Sequence, residues 1–224
     1  MKLDTVVVHH GGGAGSDNFA STQHHTVAIY DEHHKQRGFP KSQLGYFVGY
    51  SAVYEPRTRK FTQTQKLGEE TAHTVGQNFS SFGLAIVGNY NRRPIGSPTG
   101  SVDSLTEAQI ADVAGFVHDL INGNKRGLLT VPGTELSFST SRIYPHRTFK
   151  PTTDCYGTYW SDTFWRDEVI RYKVAPQVDD SEITRLQKEN STLKQLILKL
   201  FAMILAKPQP VLSGDSDGLE CGSS

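Results

Sequence analysis

Val6-Val7-Val8-His9-His10-Gly11-Gly12-Gly13 is the stretch on which the fold turns. Three successive β-branched residues pack well on a pleated surface and poorly in a helix, so the run reads as a buried strand. It stops at a glycine loop. A histidine at that boundary stands at the end of a strand, where glycines let another molecule approach closely. Further strands are expected over residues 46–54, which are rich in aromatics and valine, and over 82–87, which end at Gly88-Asn89. Ile143-Tyr144 leads in the same way into Pro145-His146.

Helices fall between these strands. Residues 17–37 are polar and proline-free, and Gly38 with Pro40 closes them, so a first helix is expected there. The clearest helix follows Ser104 and Thr106, either of which can cap it, with Glu107 or Gln109 three residues later. Ile110, Val113, Ala114, Val117, Leu120 and Ile121 then share one face, and Asn122-Gly123-Asn124 ends it. A third helix is expected over 159–174. Strands and helices mix without regular alternation, which implies an α/β fold with helices layered on one mixed sheet.

Composition narrows the function classes. The chain has 224 residues, enough for one ordinary domain plus an extension. Lys plus Arg balances Asp plus Glu at 23 each, which argues against a nucleic-acid partner. The two cysteines, Cys155 and Cys221, exclude a disulfide framework and point to synthesis in a reducing compartment. The first residues lack the apolar core of a signal peptide, so synthesis in a cytoplasm is expected, with action elsewhere after release. No run of about 20 apolar residues is present to span a membrane.

The composition changes after residue 175. Residues 176–181 read as a polar linker. Ile183, Asn190, Ile197 and Ile204 then recur every seven residues, interleaved with Leu186, Leu193 and Leu200. This is an a/d seam over three heptads, so 182–206 is expected to be an amphipathic oligomerisation helix, a coiled coil with a single polar a residue. Folding back on its own domain, or lying on a membrane surface, is the alternative. Residues 207–224, rich in Pro, Gly and Ser, are expected to be disordered.

His9, His146 and Cys155 stand out as metal ligands. Zinc takes nitrogen from neutral His and sulfur from Cys, and a catalytic site uses three protein ligands with the fourth position open. Cys155 lies nine residues beyond His146 across a Pro-Thr-Thr loop, so the two can flank one turn while His9 arrives from a neighbouring strand. Spacing alone leaves open an ordinary strand-end histidine and an inert buried thiol.

Five landmarks, in order, resemble one family. They are Val-Val-Val-His9-His10-Gly, Leu44-Gly45-Tyr46-Phe47, Ala72-His73-Thr74 with Asn78, Gly83 to Gly88-Asn89-Tyr90, and His146-Arg147 closing on Thr153-Asp154-Cys155-Tyr156-Gly157. This order is similar to that of the type 2 N-acetylmuramoyl-L-alanine amidases, which include peptidoglycan recognition proteins and many phage endolysins. The resemblance spans residues 4–172. It implies a central sheet flanked by helices, a zinc site of His9, His146 and Cys155, an active-site tyrosine at Tyr46, and Thr153 beside substrate or water. It also implies peptidoglycan as substrate, cut between N-acetylmuramic acid and L-alanine. The sequence departs from the family at Tyr46-Phe47-Val48, where Tyr-His-Phe is frequent, and at Cys155-Tyr156-Gly157, where Cys-Pro-Gly is frequent. His73 is a candidate for the substrate groove. His10 reads as structural, and His24, His25, His33 and His34 as solvated or packing residues of the first helix. A non-catalytic peptidoglycan-binding module and an assembly scaffold are the competing functions.

Overall fold

The computed structural model describes residues 1–12, 20–92, 101–174 and 180–205. The chain divides into two compact units, Met1–Ala175 and Pro176–Ser224.

The first unit is built on a five-stranded sheet. Its strands are β2 (Thr5–His10), β3 (Ala52–Glu55), β4 (Lys60–Gln63), β5 (Ser81–Ile86) and β7 (Ile143–Pro145), in the order β4-β3-β5-β2-β7. Only β3 and β4 run antiparallel; the other pairs are parallel. The sheet is therefore mixed, as expected. Two short strands, β1 (Lys2–Leu3) and β6 (Glu135–Leu136), pair separately. Every residue of β2 and of β5 is buried. That suits inner strands of a parallel sheet, which need apolar side chains on both faces.

Helices cover the two faces. Val6, Val8, Tyr54, Phe82, Leu84 and Ile86 meet the apolar stripe of α2 (Glu107–Ile121), with Trp165 and Val169 of α3 (Phe164–Val174) in the same cluster. Val53, Ala85 and Val87 meet Val27 and Tyr30 of α1 (Val27–Gln36) on the other face. A capping box starts α2: Thr106 Oγ1 accepts the Gln109 N–H, and Gln109 Oε1 accepts the Thr106 N–H. The boundary expected there is the boundary found.

Other boundaries differ. Thr26 is the N-cap residue of α1, so His24 and His25 precede the helix instead of lying on it. The strand expected over 46–54 is regular only from Ala52, because Ser42 Oγ and the Asp31 carboxylate take the N–H groups of Tyr46 and Phe47. The third helix begins at Phe164, not at 159. Strand β4 was not anticipated. It is a short edge strand after the Pro56–Arg59 turn, with too few apolar residues to show a pattern.

The second unit carries α4 (Asp180–Leu205), two residues earlier at its start than the heptad spacing suggests. No described helix is long and apolar enough to cross a membrane. Of the linker expected at 176–181, residues 180 and 181 fall within α4 instead, and 176–179 lie outside the described residues, as do the tail from 207 and Cys221.

Candidate metal centre

Strand register builds the site. Strands β2 and β7 are neighbours, with Val8 opposite Pro145. The next residue on each is a histidine, so His9 and His146 leave the carboxyl ends of adjacent parallel strands together. Their ring centroids are 4.5 Å apart. Crevices at the carboxyl ends of parallel strands are the usual ligand sites of such sheets. Cys155 closes the group from the following loop: its Sγ lies 3.5 Å from His9 Nδ1 and 3.4 Å from the His10 N–H. One ligand atom from each of His9, His146 and Cys155 lies within 4.8 Å of the other two. The three residues singled out from the sequence are thus brought to one point.

Arg147 holds the cysteine loop in place. Its backbone N–H donates to the Cys155 carbonyl at 2.9 Å. Its guanidinium donates to the carbonyls of Gly157 (2.6 Å) and Trp160 (2.8 Å) and to Asp162 (2.6 Å), and lies over the Tyr156 ring. The His-Arg pair of the sequence is a candidate ligand followed by the anchor of the next candidate's loop.

A hydrogen-bond chain fixes which nitrogen of His9 is free. Ser81 Oγ–H donates to the Gln77 carbonyl at 2.6 Å, which uses its only proton. Toward His73 Nε2, at 3.2 Å, Ser81 can therefore only accept, so His73 carries its proton on Nε2. His73 Nδ1 is then bare and accepts from His9 Nε2–H at 3.0 Å, sharing its lone pair with the Thr74 hydroxyl at 2.8 Å. That leaves His9 Nδ1, the atom facing Cys155 Sγ, with an open lone pair. The His73 ring sits against Gly83 of β5, where a Cβ would come within 2.5 Å of it. Glycine in the middle of a central strand is thereby explained: it makes room for the ring that orients His9.

Burial sets the charge of these groups. Burial, with His73 and His146 nearby, holds His9 well below the usual imidazole range. Burial lowers His73 and His10 to about 3, and lowers His146, with Lys150 adding to the effect. All four are neutral at pH 7. Burial pushes the Cys155 thiol up to about 12, against the pull of the His10 N–H and Arg147. Neutral imidazoles are ready ligands. The thiol would ionise on meeting a divalent ion, which deprotonates a coordinating thiol outright. Two nitrogens and one sulfur, preset and convergent, fit zinc with its fourth position open.

Two cavities of about 440 and 420 Å³ meet here and share Arg37, Tyr50 and His146. The first extends past His73, Thr74, Asn78 and Lys150, and the second past Gly12, Asn91 and Thr153. His73 lines the first cavity and hydrogen-bonds His9, a candidate ligand. Thr153 stands at the rim beside Cys155, where its Oγ1 accepts the Cys155 N–H at 3.3 Å. Tyr46 is placed differently: its ring packs beside the small cluster of Val27, Tyr30 and Val48, and it lines neither cavity. Tyr50, which packs against the same cluster, lines both cavities. Its ring centroid is 4.9 Å from that of His9, and burial raises its phenol, so it keeps its proton as a donor. The sequence held a hint of this in the second Gly-Tyr pair, Gly49-Tyr50, four residues after Gly45-Tyr46.

No family model and no curated protein matches the chain. The solved structures it resembles are amidases, endolysins and peptidoglycan recognition proteins. The N-acetylmuramoyl-L-alanine amidase LysC from Clostridium intestinale is 19% identical, with a TM-score of 0.48, over 76% of this chain and 85% of that one. The Ph2119 endolysin of a Thermus scotoductus bacteriophage is 16% identical, with a TM-score of 0.47, over 75% and 86%. Drosophila PGRP-LB is 17% identical, with a TM-score of 0.40, over 80% and 84%.

Proposed function

We propose that this chain is a zinc-dependent N-acetylmuramoyl-L-alanine amidase that acts on bacterial peptidoglycan, in the manner of a phage endolysin released to the wall. The convergence of His9, His146 and Cys155 within 4.8 Å, beside two cavities that His146 lines and one that Cys155 lines, carries this reading. A binding module would have no need of a thiol placed beside two neutral imidazoles.

When bound, zinc supplies a water-derived nucleophile at neutral pH and polarises the scissile carbonyl. The chain's own residues do the rest. His73 holds His9 with Nδ1 forward. Tyr50 donates its phenol proton in a hydrogen bond to the oxygen on which negative charge develops, an interaction strongest in the transition state. Thr153, at the rim, orients substrate or water. Arg37 and Lys150 line the groove, and among the described residues no carboxylate forms an ion pair with either. They suit the carboxylates of a peptide stem.

The test is release of free N-terminal L-alanine from purified peptidoglycan, together with metal analysis. About one zinc per chain and release that stops on chelation are expected. Wall binding without release would replace the amidase by a non-catalytic recognition module.

A further inference from the structure

The side chains of α4 from Lys188 to Leu200 are all exposed. Among them Leu193, Leu196, Ile197 and Leu200 are 45–58% exposed. A contiguous apolar strip of this kind in water marks a surface that meets something. We propose that α4 pairs in parallel and in register with α4 of a second copy of this chain.

Three observations choose this partner and this direction. The a positions are Ile183, Asn190, Ile197 and Ile204 and the d positions Leu186, Leu193 and Leu200, the Ile/Leu alternation of parallel strands. In that arrangement Asn190 faces Asn190 of the other copy, where each amide can satisfy the other. Run antiparallel, an a residue faces a d residue, and Asn190 would meet a leucine.

Charge gives the second. Glu189 falls at g and Lys194 at e, the two positions that meet across a parallel seam in register. Within one helix they are five apart and do not face each other. Among the described residues Glu189 pairs only with Arg185 of its own helix, at 3.5 Å with both side chains over 60% exposed, and no ion pair holds Lys194.

The third is the width of the face. In the first half of α4 the flanking e and g positions are Glu182, Gln187, Glu189 and Lys194; in the second half they are Leu196, Phe201 and Met203. Parallel pairing sets the wide apolar end against another wide end. Antiparallel pairing would bury Leu196 and Met203 against glutamates. The outcome would be two or more hydrolytic grooves on one particle, and so avidity for a repeating polymer.

Analytical ultracentrifugation of the full-length protein tests this. At about 50 µM the expected mass is a multiple of the 24.8 kDa chain. A monomer at that concentration overturns the proposal, and a monomer that instead sediments with phosphatidylglycerol vesicles assigns the face to lipid. Leu193→Lys combined with Ile197→Lys should give a monomer with unchanged zinc content and unchanged cleavage of small soluble muropeptides. Association that survives both substitutions lies on another surface and equally refutes it. Glu189→Lys and Lys194→Glu should each weaken association about fivefold. Made together they should restore it, since the pair is re-formed across the seam. No restoration rules out the parallel register.

Discussion

Replacing His73 by leucine removes the acceptor that holds the Nε2 proton of His9. The two nitrogens are 3.0 Å apart and both rings are buried. Without that acceptor the zinc-free ring can relieve its orphaned N–H by moving the proton to Nδ1, the atom that must face the metal. Binding zinc then has to reverse the change. A buried donor left unpaired costs about 1–3 kcal/mol, which is about 5- to 150-fold in an equilibrium constant. Thr74 Oγ1, 3.3 Å from His9 Nε2, can take part of the lost bond. The loss in zinc affinity should therefore sit near the low end, about 10- to 30-fold. His73→Asn places an amide oxygen near the position of Nδ1 and should recover most of it. The assay is competition with a chromogenic chelator on metal-free protein, with thermal melts run alongside to separate folding from binding. Nitrogen-15 shifts of His9 would report the tautomer directly. If His73→Leu binds zinc within twofold of the parent while folded, or if the parent's His9 carries its proton on Nδ1, the orienting chain is refuted.

Tyr50→Phe should lower kcat about 100-fold with zinc content intact, since one oxyanion donor is worth about 2.7–4 kcal/mol, while Tyr46→Phe should leave turnover within about threefold; steady-state kinetics on a soluble muropeptide decides between them. Arg147→Ala should lower stability by about 2–3 kcal/mol, because three carbonyl or carboxylate partners lose a charged donor; a denaturation midpoint equal to the parent's would show that the Cys155 loop is held otherwise. His34 accepts the Gly49 N–H on Nδ1 at 3.0 Å, and burial, with Arg37, lowers it to about 4. Its folded value lies below its unfolded value, so its contribution is present above about pH 6.5 and is lost as pH falls through 4. Allowing for partial solvent screening, His34→Gln should flatten the acid limb of the stability curve by about 2 kcal/mol over that window, and an unaltered limb would place the acid-sensitive group elsewhere.

Local signals were legible where one element decides them. Val6-Val7-Val8 and the Thr106 cap each settle their structure within a few residues, and so β2 and the start of α2 were read correctly. The candidate ligand set came from the family resemblance, since spacing alone left an ordinary histidine and an inert thiol open. The placement of the two tyrosines needs tertiary knowledge. Gly45-Tyr46 and Gly49-Tyr50 look alike along the chain. They are separated by Asp31 and Ser42, which take the N–H groups around Tyr46 and keep that segment out of the sheet. The bond from His73 to His9 spans 64 residues. Nothing local announces it except a glycine at 83 whose reason is a ring from elsewhere. Strand β4 follows the same logic, being made by its hairpin partner more than by its own composition.

The sheet on which the ligands stand has apolar clusters on both faces, and neither includes His9 or His146. Arg147 anchors the third ligand's loop through bonds of its own. Cys155, the third candidate ligand, packs against the larger cluster. On the proposed reading, hydrolysis depends on three side chains and wall recognition on the groove as a whole, so selection can act on the two separately. A single change at Cys155 would then silence cleavage and leave the rest of the groove's lining in place, and the reverse change would restore it, so cutter and receptor stand one substitution apart.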